Sequence, residues 1–201
     1  MKIGIVAVQG DYEAHAAMLA RLGVTTAEVR TVEEVDGCAG LILPGGESTT
    51  QLQFLEEEGL AARIRRFAAE GGAIFGTCAG AILLAREVKN PGQDSLGLLD
   101  MTVERNAYGR QIASEVTTGT CRWKTAPMEM VFIRGPVIAR TGPDVEVHAE
   151  HAGRPVLVQQ GRILAATFHP ELTNDTTVHE RFLFLAASRD EVLSAASAPK
   201  N

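Results

Sequence analysis

Apolar and polar positions follow two different rhythms along the chain. Lys2 to Val8 is an Ile/Val-rich run with little alternation, which predicts a parallel strand buried on both faces. Gln9-Gly10-Asp11 reads as a turn. Tyr12 to Leu22 then carries Ala14, Ala17, Met18 and Leu22 at helical spacing and stops at Gly23. Thr26 to Val29 is a weaker strand, Val32 to Val35 a short connector, and Gly40 to Leu43 the next strand. The turn Pro44 to Thr50 follows it. Gln51 to Glu57 and Leu60 to Ala69 predict a helix pair broken at Gly59. Gly71-Gly72 resets the chain before the strand Ala73 to Phe75, and an apolar, helix-compatible run begins just past Cys78.

This alternation predicts an α/β fold: a mostly parallel, doubly wound, flavodoxin-like sheet with helices on both faces. After the polar loop Lys89 to Ser95 the rhythm shortens. Strand-like segments succeed one another at Met101–Glu104, Gln111–Thr117, Met130–Ile133, Val137–Ala139, Val145–Ala149, Pro155–Gln160 and Arg162–Ala166, with no helix until Val178 to Ser188. With no linker or repeat between the halves, the second half is expected to extend the same domain as antiparallel strands. The expected domain is 1–190, with 191–201 a disordered tail whose Ser194 to Asn201 stretch is small and polar.

Composition narrows the function classes. The 201 residues are 45% hydrophobic and 22% charged, ordinary for a globular protein. A net charge of −6 argues against an extended nucleic-acid footprint. No apolar run approaches the roughly 20 residues that span a bilayer, and the N-terminal strand lacks the features of a signal peptide. Cys38, Cys78 and Cys121 are odd in number and widely spaced, which fits a reducing cytosol and neither a disulfide framework nor a close-spaced zinc motif. Neither a metal nor a cofactor is expected.

The candidate chemistry gathers around Gly76-Thr77-Cys78-Ala79-Gly80. Gly-x-Cys-x-Gly between a strand and a helix has the mechanics of a nucleophile elbow. The same cysteine could simply be a small buried residue. A thiol nucleophile needs a base, a group that orients the base, and oxyanion donors. Among five histidines, His15 and His179 sit in predicted helices with polar neighbours and read as surface residues. Alternation puts Glu146, His148 and Glu150 on one strand face, beside His151, and a solvated edge strand accounts for them better than a metal site. His169 is different: it ends the apolar strand Ile163 to Phe168, at the edge where Cys78 lies, and Pro170 stiffens the turn that brings Glu171 to its far nitrogen. The N–H groups of Ala79 and Gly46 are available as oxyanion donors.

Pro44-Gly45-Gly46, the cysteine elbow and His169-Pro170-Glu171 together resemble the class I, triad-type glutamine amidotransferases. Val6 to Gly10, Pro44 to Thr50, Glu104 to Gln111 and Val131 to Arg134 are similar to one subfamily, the glutaminase subunits of pyridoxal 5'-phosphate synthase. The likeness runs from Met1 to about Ala187. It implies hydrolysis of L-glutamine by Cys78, His169 and Glu171, with Gly46 and Ala79 as the oxyanion hole. Gly46, Glu47, Ser48, Arg105, Ile133 and Arg134 are implied to hold the substrate. A barrel-type synthase subunit is implied as ammonia acceptor and activator, in the cytoplasm; the Gln9-Gly10 turn, beside the Gly45-Gly46 loop in the expected topology, is where docking is expected to adjust the oxyanion hole. Gly119 to Met128 matches nothing in the family and is expected to be a surface loop. A redox or stress protein with a sensor cysteine, a glutaminase serving another synthase, or an idle relative are the competing readings.

Overall fold

The computed structural model describes residues 1–105 and 114–197. In chain order the elements are β1 (Lys2–Val6), α1 (Tyr12–Arg21), β2 (Thr25–Val29), β3 (Gly40–Leu43), α2 (Ser48–Glu57), α3 (Leu60–Ala69), β4 (Ala73–Thr77), α4 (Ala79–Leu84), β5 (Ala85–Lys89), β6 (Leu99–Glu104), β7 (Ser114–Cys121), β8 (Lys124–Ile133), β9 (Val137–Thr141), β10 (Glu146–His151), β11 (Arg154–Gln160), β12 (Ile163–Ala166) and α5 (Thr177–Ser197). A nine-stranded sheet has the order β2-β1-β3-β4-β12-β11-β10-β7-β8. From β2 to β12 every pairing is parallel, and from β12 to β8 every pairing is antiparallel. The expected parallel half with an antiparallel extension is therefore present.

Side-chain alternation along the buried strands feeds two cores. Ile3, Ile5 and Phe75 meet Leu19 of α1 and Phe182 of α5 on one face, while Leu41 and Ile74 meet Leu55, Ile64 and Leu83 of α2, α3 and α4 on the other. Phe182 is fully buried, and burying such a ring contributes about 1.5–3 kcal/mol. No helix of the described residues is long and apolar enough to cross a membrane.

Five expectations are corrected. Ala85–Lys89 forms β5 and joins β6 and β9 in a separate three-stranded sheet; its buried Ala85 and Val88 point inward, and the charged residues between them stay exposed. Gly119 to Met128 is no surface loop: it belongs to the β7–β8 hairpin, where Cys121 and Met128 pack into the core. β10 is no edge strand, because it lies between β11 and β7. Register shifts at Val147–Glu150 break its alternation, so His148 is buried under the Trp123 ring while Glu146 and Glu150 remain exposed. In α1 the buried residues are His15, Met18 and Leu19; of the expected stripe Met18 is buried, Ala14 and Leu22 partly so, and Ala17 is exposed. Helix α5 continues to Ser197, beyond the Ser188 end expected for it and into the expected 191–201 tail.

Candidate active site

The elbow is built by close backbone packing. Thr77 pairs with Ala166 of β12, and the Cys78 N–H donates to the Ala166 carbonyl at 2.9 Å. Cys78 then takes φ +48° and ψ −103°, a backbone setting that costs on the order of 1–3 kcal/mol unless its surroundings hold it. They do so through glycines. A Cβ on Gly80 would lie 1.9 Å from the Leu43 carbonyl oxygen, and one on Gly76 would lie 2.6 Å from the Gly80 backbone. Neither position admits a side chain.

β12 runs parallel to β4 and delivers His169 beside the elbow. The His169 N–H is held by the Val131 carbonyl at 2.8 Å. His169 Nδ1 donates to Glu171 Oε1 at 2.7 Å, with Glu171 in the 3-10 turn Pro170–Leu172. That leaves Nε2 free to face the cleft that Cys78 also lines. Burial disfavours charge on His169, yet the hydrogen bonds and charges of Cys78 and Glu171 overcome it and push the imidazole up to about 10. A protonated imidazole beside a thiol favours the thiolate, which is the reactive form.

The turn after β3 forms the opposite wall. A Cβ on Gly45 would stand 2.4 Å from His169 Cε1, so the ring occupies the space that the glycine leaves open. The Gly45 carbonyl accepts from the Asp11 N–H at 3.2 Å. Since C=O and N–H of a trans peptide point oppositely, the Gly46 N–H is turned away from the Asp11 turn. Buried Gln51 donates from Nε2 to the Gln9 carbonyl (2.9 Å) and the Pro44 carbonyl (3.3 Å), while Gln9 Oε1 accepts the Glu47 N–H at 2.8 Å.

These walls enclose a cleft of ≈ 520 Å³. Cys78, His169, Gly46, Ala79, Glu47, Ser48, Arg105, Ile133 and Arg134 all line it, so the structure brings together the expected triad, oxyanion and substrate residues except Glu171, which sits behind His169. Arg105 Nη2 donates to Glu47 Oε1 (2.9 Å) and Thr49 Oγ1 (3.1 Å). The Ser48 hydroxyl is buried and donates to Gln93 Oε1 at 2.9 Å. The Ile133 carbonyl faces Cys78 Sγ at 3.9 Å. Asn106 to Gln111, the rest of the Arg105 block, lie outside the described residues.

Sequence reasoning missed several supporting groups. His15 and His179, expected at the surface, are completely buried and bonded to each other at 3.0 Å. Each falls on the helix stripe that faces the sheet, where a polar side chain survives by finding a polar partner. Asp11 also lines the cleft, and its Oδ2 lies 3.8 Å from His169 Nδ1. Among the described residues, Asp11, His169 and Glu171 are the set whose ligand-type atoms converge as a metal site would require. The short His169–Glu171 bond already accounts for two of them.

Comparison with known proteins places this geometry. The sequence profile of the SNO glutamine amidotransferase family matches residues 5–187. The pyridoxal 5'-phosphate synthase subunit PdxT of Koribacter versatilis is 53% identical over 183 residues, covering 91% of this chain and 94% of that protein. The subunit of the same name from Deinococcus radiodurans is 50% identical over 194 residues, covering 94% and 99%. A crystal structure of a glutamine amidotransferase superposes with a TM-score of 0.87 at 46% identity, over 92% of this chain and 98% of that one. PurLQS from Thermotoga maritima, at 17% identity and a TM-score of 0.72 over 91% and 97%, shares the fold.

Proposed function

Since the chain belongs to the SNO glutamine amidotransferase family, we propose that it is the glutaminase subunit of a pyridoxal 5'-phosphate synthase. It hydrolyses L-glutamine to L-glutamate and ammonia. The observation that carries this reading is the convergence of Cys78, His169 and Glu171 at one cleft.

The Cys78 thiolate attacks the carboxamide carbon of glutamine, and the N–H groups of Gly46 and Ala79 hold the resulting oxyanion. Losing one such donor typically costs about 10²–10³ in rate. Protonated His169 gives its proton to the leaving nitrogen as the C–N bond breaks, releasing ammonia and a γ-glutamyl thioester. His169 then takes a proton from water, whose oxygen attacks the thioester carbon. Glutamate leaves, and the sulfur returns as thiolate beside the imidazolium. Glu171 keeps the Nδ1–H side of the ring fixed, so that Nε2 serves both steps.

Arg105 and Glu47 stand side by side at the cleft wall. The guanidinium suits the α-carboxylate of glutamine and the carboxylate suits its α-ammonium, with Ser48, Ile133 and Arg134 completing the wall. Ammonia passes to the barrel-type synthase subunit, and its protonation in bulk water is thereby avoided. Docking of that subunit activates the glutaminase. A redox reading explains the elbow cysteine but gives His169 and Glu171 nothing to do.

Glutamate release, measured with and without the synthase subunit, tests the reading. Cys78→Ala is expected to abolish release, and 6-diazo-5-oxo-norleucine to label Cys78 stoichiometrically. Hydrolysis that survives Cys78→Ala would sink it.

A further inference from the structure

Behind the triad lies a second set of buried polar groups that the reaction above does not use. His15 of α1 and His179 of α5 are both fully buried. His15 Nδ1 lies 3.0 Å from His179 Nε2. On its other side, His15 Nε2 lies 3.0 Å from Thr77 Oγ1 and 3.6 Å from Glu171 Oε1. Thr77 immediately precedes Cys78, and Glu171 orients His169. One imidazole therefore backs both arms of the triad.

The proton positions follow from counting donors. Burial holds His15 well below its ordinary value, and burial with the Arg21 charge holds His179 at about 3. Both rings are then neutral, each with one N–H, and the approach of His15 to Glu171 is no ion pair. A proton on His15 Nδ1 would turn a bare Nε2 lone pair toward the carboxylate. It would also force the His179 proton onto Nδ1, which is buried and has no partner among the described residues. A buried N–H without a partner is rarer in proteins than an under-satisfied acceptor. The opposite assignment leaves no N–H unused: His179 Nε2–H donates to His15 Nδ1, and His15 Nε2–H donates to Thr77 Oγ1 while facing Glu171 Oε1.

We propose that His15, held in one tautomer by His179, is a positioning residue for the glutaminase reaction. Its Nε2–H bonds Thr77 and turns its positive end toward Glu171 Oε1, supporting through them the Cys78 elbow and the His169 ring. This rests on the glutaminase reading. Glu171 Oε2 is buried without a partner among the described residues, so Oε1 carries the orientation of the carboxylate through His169 and His15. The other charged groups near this chain are Asp11, which faces His169, and Arg21, which acts on His179.

Two polar replacements separate positioning from simple packing. In His15→Gln the amide reaches the place of ring Nε2 and can still meet Thr77 and Glu171. In His15→Asn the shorter amide reaches only the place of Nδ1 and meets His179 instead. Glutaminase kcat and KM are measured with the synthase subunit present, together with melting temperatures and the pH midpoint of Cys78 alkylation by iodoacetamide. His15→Asn is expected to lower kcat about ten- to hundred-fold at unchanged KM. It is also expected to move the alkylation midpoint upward, because a loosened Glu171 supports the imidazolium less. His15→Gln is expected to stay close to wild type in both. Wild-type kcat and midpoint in His15→Asn overturn the proposal, and so does an equal loss in both variants that tracks their melting temperatures. Wild-type protein without glutaminase activity overturns the proposed function instead, and the alkylation midpoints still decide the positioning claim.

Discussion

Burying two neutral histidines makes this protein sensitive to mild acid, in a window above the range where carboxylates titrate. An unfolded histidine titrates near about 6.5. In the native state His179 is held at about 3 and His15 well below its ordinary value, both chiefly by burial. As pH falls below about 6.5 the unfolded chain takes up protons that the native protein refuses, so stability falls with pH. His169 acts in the opposite sense: held at about 10, it is already protonated in the native state while its unfolded form takes up the proton near about 6.5, so it offsets about 1 kcal/mol of the loss. Integrating from about pH 7 to about pH 5 gives a loss of about 2 kcal/mol for His179, and His15 adds to it in the same direction. His148, also held low by burial, acts in the same sense. His179→Leu removes one of the two titrating groups and leaves His15 buried. The variant is expected to be weaker near neutrality by about 1–3 kcal/mol, because His15 Nδ1 loses its donor. Its further loss on acidification shrinks by about 2 kcal/mol relative to wild type. Urea titrations at the two pH values, followed by far-UV circular dichroism, measure both quantities. An acid-induced loss as large in His179→Leu as in wild type would refute the reasoning.

Two substitutions probe the cleft wall. Gly45→Ala places a methyl 2.4 Å from His169 Cε1 and pushes the ring off its 2.7 Å bond to Glu171; kcat is expected to fall about 10²-fold or more with little change in KM, and wild-type turnover would contradict this. Gln9→Ala removes the acceptor of the Glu47 N–H, loosening the turn that carries Gly46. The synthase-stimulated rate is expected to fall more than the basal one, and an unchanged stimulated rate removes the Gln9 turn from the activation route.

The parallel half of the sheet was legible because its signals are local. Apolar runs of strand length end in turn residues, and each turn is followed by a helical period. β5 was not legible, because Ala85–Lys89 follows α4 with no turn residue between them and carries charge at exposed positions. Much of β7 is exposed, and its strand state comes from pairing with β8 and β10. A register shift defeats any reading of β10 by period two, since it moves every later side chain to the other face. The meeting of Cys78, His169 and Glu171 was legible for the opposite reason. A nucleophile and its base must stand at strand ends, and such places are marked by apolar runs that stop. Its support was not: His15 and His179 are 164 positions apart, and a polar side chain in a helix looks solvated until its partner is known.

Arg105 and Glu47 show how a pair that sequence leaves undecided is given a use by the proposed function. From sequence, an arginine at a strand end and a glutamate at a helix start both have structural uses. The folded pair has a 2.9 Å contact, with side-chain exposures of 16% and 51%. A partly exposed ion pair of this kind stabilises a fold by about 0–1 kcal/mol, too little to explain why Arg105 is also held by Thr49 at 3.1 Å. The fixing makes sense as preorganisation. A guanidinium held in one orientation beside a carboxylate loses little further side-chain freedom when a zwitterionic amino acid settles across both. The same economy runs through the elbow and the Gly45–Gly46 turn, where glycines admit contacts that a Cβ would block and the groups facing substrate are set before it arrives.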